Sequence, residues 1–135
     1  FEWVQIPINI LDTSFYQIII DSGINIKIAA RSVFLQGILL DRKSIQTDIE
    51  YNKLLLELLD RVDSLCTEHN INIMDLSLAY LSSLRDINMI IVGTTSFDNL
   101  VKNIQATDIE LPAALIKRLD SISRLPKSWT NPRHW

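Results

Sequence analysis

Residues 89–103 read Met-Ile-Ile-Val-Gly-Thr-Thr-Ser-Phe-Asp-Asn-Leu-Val-Lys-Asn, an apolar run that breaks at Gly93 into three hydroxyl residues and then takes up helical spacing. This is the pattern of a strand, a tight loop and a helix N-terminus. The first N–H groups of a helix have no partner inside it, and with the macrodipole they suit a phosphate or a carboxylate. Thr94, Thr95 and Ser96 add short hydroxyl donors at that place. A reciprocal cap between Thr95 and Asp98, holding no ligand, accounts for the same residues. One glycine followed by hydroxyls is a weaker signature than a glycine-rich phosphate loop.

Other elements must hold such a loop. Residues 3–11 are almost continuously apolar, which is how a strand buried on both faces reads, and Gln5, Pro7 and Asn9 share one of its faces. Pro7 cannot donate to a ladder and points to a strand edge or to a parting of the sheet. Thr13 or Ser14 can cap a helix through residues 16–21, with Gly23 as its left-handed stop. Residues 24–30 repeat the strand signal, followed by Arg31 and Ser32 and a loop past Gly37.

A long helix is expected from Thr47 or Asp48 to about His69, with Leu54, Leu55, Leu58, Leu59, Val62, Leu65 and Cys66 facing the core. A helix over 74–84 then leads to the strand at 89–92. Pro112 suits the first turn of a last helix through Ala114, Leu115, Leu119 and Ile122. Strand and helix alternate three times, which predicts an α/β fold of parallel strands joined by crossovers. Gly37 and Gly93 each follow a strand's C-terminal end, where such folds place their ligand sites. Three parallel strands leave two unpaired edges, so the unit is expected to have company.

Composition narrows the function. At 135 residues, with 47% hydrophobic and 21% charged residues, the chain has the make-up of one globular domain. A net charge of -3 offers no field for a nucleic-acid backbone, and no apolar run approaches the roughly 20 residues needed to cross a bilayer. The single cysteine, Cys66, excludes an intrachain disulfide and a paired-cysteine zinc site, and suits a reducing cytoplasm with the thiol buried and inert. The opening Phe-Glu-Trp-Val-Gln has no secretory-leader pattern, and the chain is expected to be a piece of something longer.

Several segments together resemble a known family. These are Gln-Ile-Pro-Ile-Asn-Ile-Leu-Asp at 5–12, Ala-Arg-Ser-Val-Phe-Leu-Gln-Gly at 30–37, Ser-Leu-Ala-Tyr-Leu at 77–81, Ile-Val-Gly-Thr-Thr at 91–95 with Leu100 and Asn103, and Asn-Pro-Arg-His-Trp at 131–135. In order and spacing the chain resembles the C-terminal part of an aldo-keto reductase, from the sixth barrel strand onward. The resemblance implies a partial β/α barrel of TIM type, with three parallel strands and flanking helices, forming one unit over 1–135 whose upstream half lies outside this sequence.

The resemblance also implies a nicotinamide cofactor, NADPH or NADH. Gln5 falls where family members hydrogen-bond the nicotinamide carboxamide, a task for an amide with both donor and acceptor. Arg31 falls where an aromatic residue usually stacks on the ring; its planar guanidinium could stack too, or could simply pair with Asp12. Ser32, Phe34 and Gln36 lie on the loop that passes the pyrophosphate, with Gly37 allowing a close backbone approach. Gly93, Thr94 and Thr95 match the loop around the adenosine ribose phosphate, and Asn99, Lys102 and Asn103 match helix positions facing the adenine and that phosphate. Phosphate-selective members carry a basic residue near 95 or 96 and an arginine at 99, where this chain has Thr95, Ser96 and Asn99; Lys102 is a point-charge substitute.

The family's acid–base machinery lies upstream, so no catalytic residue is expected within the chain. Tyr16, Tyr51 and Tyr80 fall in predicted helices as packing residues, His69 suits a helix C-terminus, and His134 lies in the irregular tail with Trp129 and Trp135. No metal site is expected. Lys117, Arg118, Asp120 and Arg124 read as a solvated helix face. The parent protein is expected to reduce carbonyl groups of aldehydes, ketones or sugar-like substrates, the isolated chain being inactive. The other reading is a non-catalytic partial-barrel nucleotide-binding or scaffold module that self-associates as a homodimer through its open strand edges.

Overall fold

Three parallel strands in the order β1 (Trp3–Pro7), β2 (Lys27–Arg31), β3 (Ile87–Ile90) form the sheet of the computed structural model, which describes residues 2–43, 45 and 50–123. The predicted α/β class with parallel strands is the observed one. Gln5 stands opposite Ala29 and Pro7 opposite Arg31, while Ala29 and Ala30 stand opposite Met89 and Ile90. The second ladder slips between Ile28 and Ala29. There the side chain of Asn88 accepts the Ile28 N–H at 2.8 Å, so the irregularity leaves that donor satisfied.

Alternation along the strands separates two faces. Ile6, Ile28 and Ala30 are buried against the helices, whereas Trp3, Gln5, Lys27, Arg31 and Met89 are exposed on the other face. The ammonium of Lys27 lies 5.3 Å from the centre of the Trp3 ring. The expectation of a first strand buried on both faces is therefore corrected: its apolar residues reflect one helix-covered face and one uncovered face. The strands are also shorter than expected. β1 ends at Pro7, on an outer strand as the proline required, and the apolar run continues in a turn.

In that turn Asn9 and Asp12 exchange backbone hydrogen bonds at 3.1 Å, and the Asn9 side chain accepts the Leu11 N–H at 2.9 Å, so Ile8, Ile10 and Leu11 are buried outside the sheet. Asn9 is a buried turn residue and does not share an exposed face with Gln5. β2 begins at Lys27, leaving Ile24 exposed, and β3 occupies Ile87–Ile90 instead of 89–92.

Helix α1 (Ser14–Ser22) stops at Gly23, whose φ of 67° is the left-handed conformation expected there. Thr13 occupies the cap position as expected, but its hydroxyl makes no capping bond and meets that of Ser123, while the Asp12 carboxylate accepts the Ser14 N–H at 2.9 Å and the Ser14 hydroxyl at 2.6 Å. Helix α2 (Glu50–Glu68) turns Leu55, Leu58, Leu59, Val62 and Leu65 inward; Leu54 is exposed, and Cys66 is only half-buried. Its expected start at Thr47 or Asp48 lies outside the described residues.

Helix α3 (Ile73–Ser83) packs against α2, β3 and α4 (Phe97–Ala106), and residues 76–81 are buried all round. That accounts for its weak sidedness. Helix α5 (Ala113–Ile122) follows Pro112, which occupies the cap position just before the first turn; Leu115 and Leu119 are buried and Ala114 is exposed. The polar side of α5 is more than a solvated face. Arg118 reaches both Glu68 carboxylate oxygens at 2.7 Å, and the Tyr80 hydroxyl donates to Asp120 at 2.7 Å, so α5 is tied to α2 and α3. Arg124 and the tail aromatics lie outside the described residues.

Candidate ligand site at the strand C-terminal ends

Parallel strands bring the loops after β2 and β3 to one end of the sheet. The Ile91 N–H donates to the Ala30 carbonyl at 2.8 Å, extending the contact just beyond β3, so that Arg31 and residues 91–93 leave the sheet side by side.

The loop after β2 concentrates backbone strain. Of the four non-glycine residues with positive φ among the described residues, Ser32 (58°), Leu35 (47°) and Gln36 (55°) lie here, beside Gly37 at 92°. Such conformations cost of order 1 kcal/mol each for ordinary side chains and collect at functional sites. The loop closes on itself through Leu35 N–H to Ser32 O and Gly37 N–H to Phe34 O, both at 2.9 Å, with Leu35 anchored in the core. The N–H groups of Ser32, Val33 and Phe34 donate to no acceptor among the described residues. Consecutive amides beside a left-handed residue favour an anion; here Ser32 and Phe34 are half-buried and Val33 is buried.

Arg31 projects from the end of β2 on the uncovered face, with Nη1 donating to the Ser32 hydroxyl at 3.2 Å. It makes no ion pair among the described residues. The pairing with Asp12 that the sequence allowed is absent, since Asp12 is engaged with Ser14. Gln5 is exposed on the same face, one ladder step behind, opposite Ala29. Phe34 is partly buried against the core, while Gln36 is exposed.

The loop after β3 carries Gly93, Thr94 and Thr95, all exposed. The Thr94 hydroxyl bridges the Ser96 N–H and carbonyl at 3.2 Å, and Ser96 is the cap of α4, accepting the Asn99 N–H at 3.4 Å. A reciprocal cap by Thr95 and Asp98 is thus not formed. Because Ser96 takes the cap, the Thr95 hydroxyl makes no hydrogen bond among the described residues and faces solvent.

Farther along α4, Asn99 is exposed, but Asn103 is only 5% exposed and its Oδ1 has no hydrogen-bond partner among the described residues. A buried acceptor left empty costs about 1–3 kcal/mol. It borders a cavity of about 410 Å³ lined by Leu78, Ile90, Val92, Leu100 and Ile104. Lys102 borders a separate groove of about 470 Å³ with Asn72, Asp75 and Gln105. Apart from the exposed Asn99 on α4, the expected site residues therefore fall into three places: the shared sheet end, the Asn103 cavity, and the Lys102 groove.

Among the described residues, Cys66, Tyr80 and Tyr16, outside the site, are held in their neutral forms. Burial, then Asp63, pushes the Cys66 thiol up to about 11, the behaviour of an unreactive side chain. Burial raises the Tyr80 phenol, and the Asp120 hydrogen bond and charge raise it further; Tyr16 is raised by burial and Asp86. No cluster of metal-ligating residues occurs among the described residues, and no described helix is long and apolar enough to cross a membrane. Sequence reasoning did not find the free amides of residues 32–34 or the orphaned Asn103 acceptor. Three positive φ angles at Ser, Leu and Gln leave no mark in residue type; Gly37 was the backbone signal for that loop, and the resemblance added Ser32, Phe34 and Gln36.

The model of the Aldo/keto reductase family matches residues 2–124. No curated protein sequence matches the chain. Among solved structures the fold is similar to aldo-keto reductase AKR11C1 from Bacillus halodurans in its apo form, with a TM-score of 0.66 at 20% identity over 96% of this chain and 47% of that one. The holo form of the same protein gives 0.64 at 17% identity, covering 96% and 46%. The chain spans about half the length of these structures.

Proposed function

We propose that this chain, a member of the aldo/keto reductase family, supplies the cofactor-holding part of an NAD(P)H-dependent oxidoreductase that reduces carbonyl groups of aldehydes, ketones or sugar-like substrates. The observation that carries the proposal is the Asn103 acceptor. A buried amide oxygen without a partner, beside a cavity at the helix that follows the last strand, fits the amino group of a purine. The free amides of residues 32–34 and the exposed loop at Gly93 fit the charged middle of a dinucleotide, and the Gln5 amide offers donor and acceptor to a carboxamide. NADPH or NADH, when bound, supplies the hydride that passes to the carbonyl carbon.

Each residue then has a task. Asn103 holds the purine end, the loops after β2 and β3 hold the phosphates, and Gln5 orients the nicotinamide end toward the uncovered face. Neither Asn99 nor Thr95 can fork around a 2′-phosphate as an arginine does, and Lys102 lies in another groove, so NADPH and NADH are expected to bind within about tenfold of each other. No described tyrosine, histidine or carboxylate lines the cavity at Asn103. Protonation of the carbonyl oxygen is assigned to residues outside this chain, in the upstream half of the barrel, and the substrate sits between the two halves. A cytoplasmic setting belongs to the same proposal, in keeping with one half-buried reduced thiol.

The test is equilibrium titration of the chain with NADPH and NADH, followed by cofactor absorbance with a panel of aldehydes. The proposal expects saturable binding and no turnover. Turnover by the 135 residues alone would refute the assignment of chemistry to an upstream part, and absence of binding would refute the cofactor role.

A second reading has its own observation: two free strand edges and an uncovered sheet face bearing Trp3, Met89 and Ile91. On this reading the chain is a self-associating nucleotide-binding module. Sedimentation or size exclusion separates the two, since the module requires a dimer that NADPH strengthens.

A further inference from the structure

Arg31 stands where the family resemblance implies a residue stacked on the nicotinamide ring, yet its surroundings suit another task. Its Nη1 donates to the Ser32 hydroxyl at 3.2 Å, on the loop after β2, whereas Gln5 lies on the neighbouring strand opposite Ala29. It is exposed, at the C-terminal end of the middle strand, with no carboxylate paired to it among the described residues. The amides of residues 32–34, which donate to no acceptor among the described residues, follow it immediately. The other cation on the same face, Lys27, is committed to the Trp3 ring.

We propose that Arg31 is an anion clamp for the diphosphate bridge of the dinucleotide, completing with the amides of residues 32–34 a cup for its oxygens, and that it does not stack on the nicotinamide. The inference rests on the cofactor reading above and adds to it the role of this residue. Charge decides between the two tasks. The diphosphate is anionic in both redox states of the cofactor, so an arginine beside it is favourable throughout and can donate in a fork. The oxidised nicotinamide ring is itself cationic, so a guanidinium stacked on it would oppose the product of the reduction. Ser32, held in its left-handed conformation, keeps hydroxyl and amide on the loop where both can act.

The experiment is equilibrium binding of NADPH, ADP and adenosine to the chain and to Arg31→Met, Arg31→Lys and Arg31→Trp, with circular dichroism and Tm confirming that each variant folds. The clamp predicts that Arg31→Met weakens NADPH and ADP alike by about 10-fold or more while adenosine is unchanged. The salt dependence of ADP binding should flatten, Arg31→Lys should lose part of the affinity, and Arg31→Trp should behave as the Met variant. Loss for NADPH with ADP unaffected, restored by Arg31→Trp, would overturn the clamp and establish stacking. Unchanged affinity for every ligand in Arg31→Met would also overturn it while leaving the cofactor reading intact. A wild-type chain that binds none of the three would overturn both.

Discussion

The Ile91 N–H donates to the Ala30 carbonyl at 2.8 Å, one residue past the last paired position of β3. Through this bond the two loops that carry most of the candidate site leave the sheet together. Gly37 and Gly93 sit one on each loop, and they separate backbone need from ligand need. Gly37 has φ of 92°, so Gly37→Ala should cost about 1 kcal/mol in urea unfolding whether or not a ligand binds.

Gly93 has no positive φ, and a Cβ there meets nothing within 4 Å. Gly93→Ala should leave stability within about 0.5 kcal/mol. If a phosphate approaches this backbone closely, the same variant weakens NADPH binding at unchanged Tm. Equal affinity in both chains would count against a close approach there.

Asn103 should behave as a residue whose side chain serves binding at the expense of stability. Replacing the orphaned acceptor by an apolar group of similar size removes its desolvation cost, so Asn103→Leu should raise the unfolding free energy by about 1 kcal/mol and weaken adenosine and NADPH binding together. A variant that loses stability and keeps its affinity would show that the amide serves the fold.

Tyr80 and Asp120 join α3 to α5 at 2.7 Å, and the phenol is held above its ordinary value by burial first and then by Asp120. A raised phenol favours the neutral form in the fold. Its contribution is fully present below the unfolded value of about 10 and is lost as pH rises toward the folded value. Chemical unfolding at increasing pH should show stability falling above about pH 10, and Tyr80→Phe should flatten that fall while costing about 1 kcal/mol at neutral pH.

Cys66 gives a kinetic counterpart. With its thiol pushed up to about 11, the thiolate is scarce at pH 8, and alkylation should run about 100-fold slower in the folded chain than in urea. Matching rates would mean that the α2 packing around Cys66 opens readily.

The alternation of apolar runs with helical spacing made the parallel α/β order legible, because hydrophobic period reports which face an element buries. Gly23 and Pro7 were legible for a different reason, each having a permissive or restricted backbone that only certain positions accept. What stayed hidden depended on competition between neighbours. Ser96 displaced Thr95 as the cap of α4, the Asp12 carboxylate displaced the Thr13 and Ser14 hydroxyls at α1, and the apolar run through Leu11 folded into a turn secured by Asn9. Of the candidate site, its place at the strand ends could be read from glycines following strands. The free amides of residues 32–34 and the buried Asn103 oxygen exist only once the chain is packed.

The most direct test of the central claim is the perturbation of backbone and asparagine side-chain NMR signals of the 15N-labelled chain on titration with NADPH. The account predicts that shifts concentrate at the amides of residues 32–34, at 93–95 and at the Asn103 side chain. Shifts confined to the groove of Asn72, Asp75 and Lys102, or none at saturating cofactor, would contradict it.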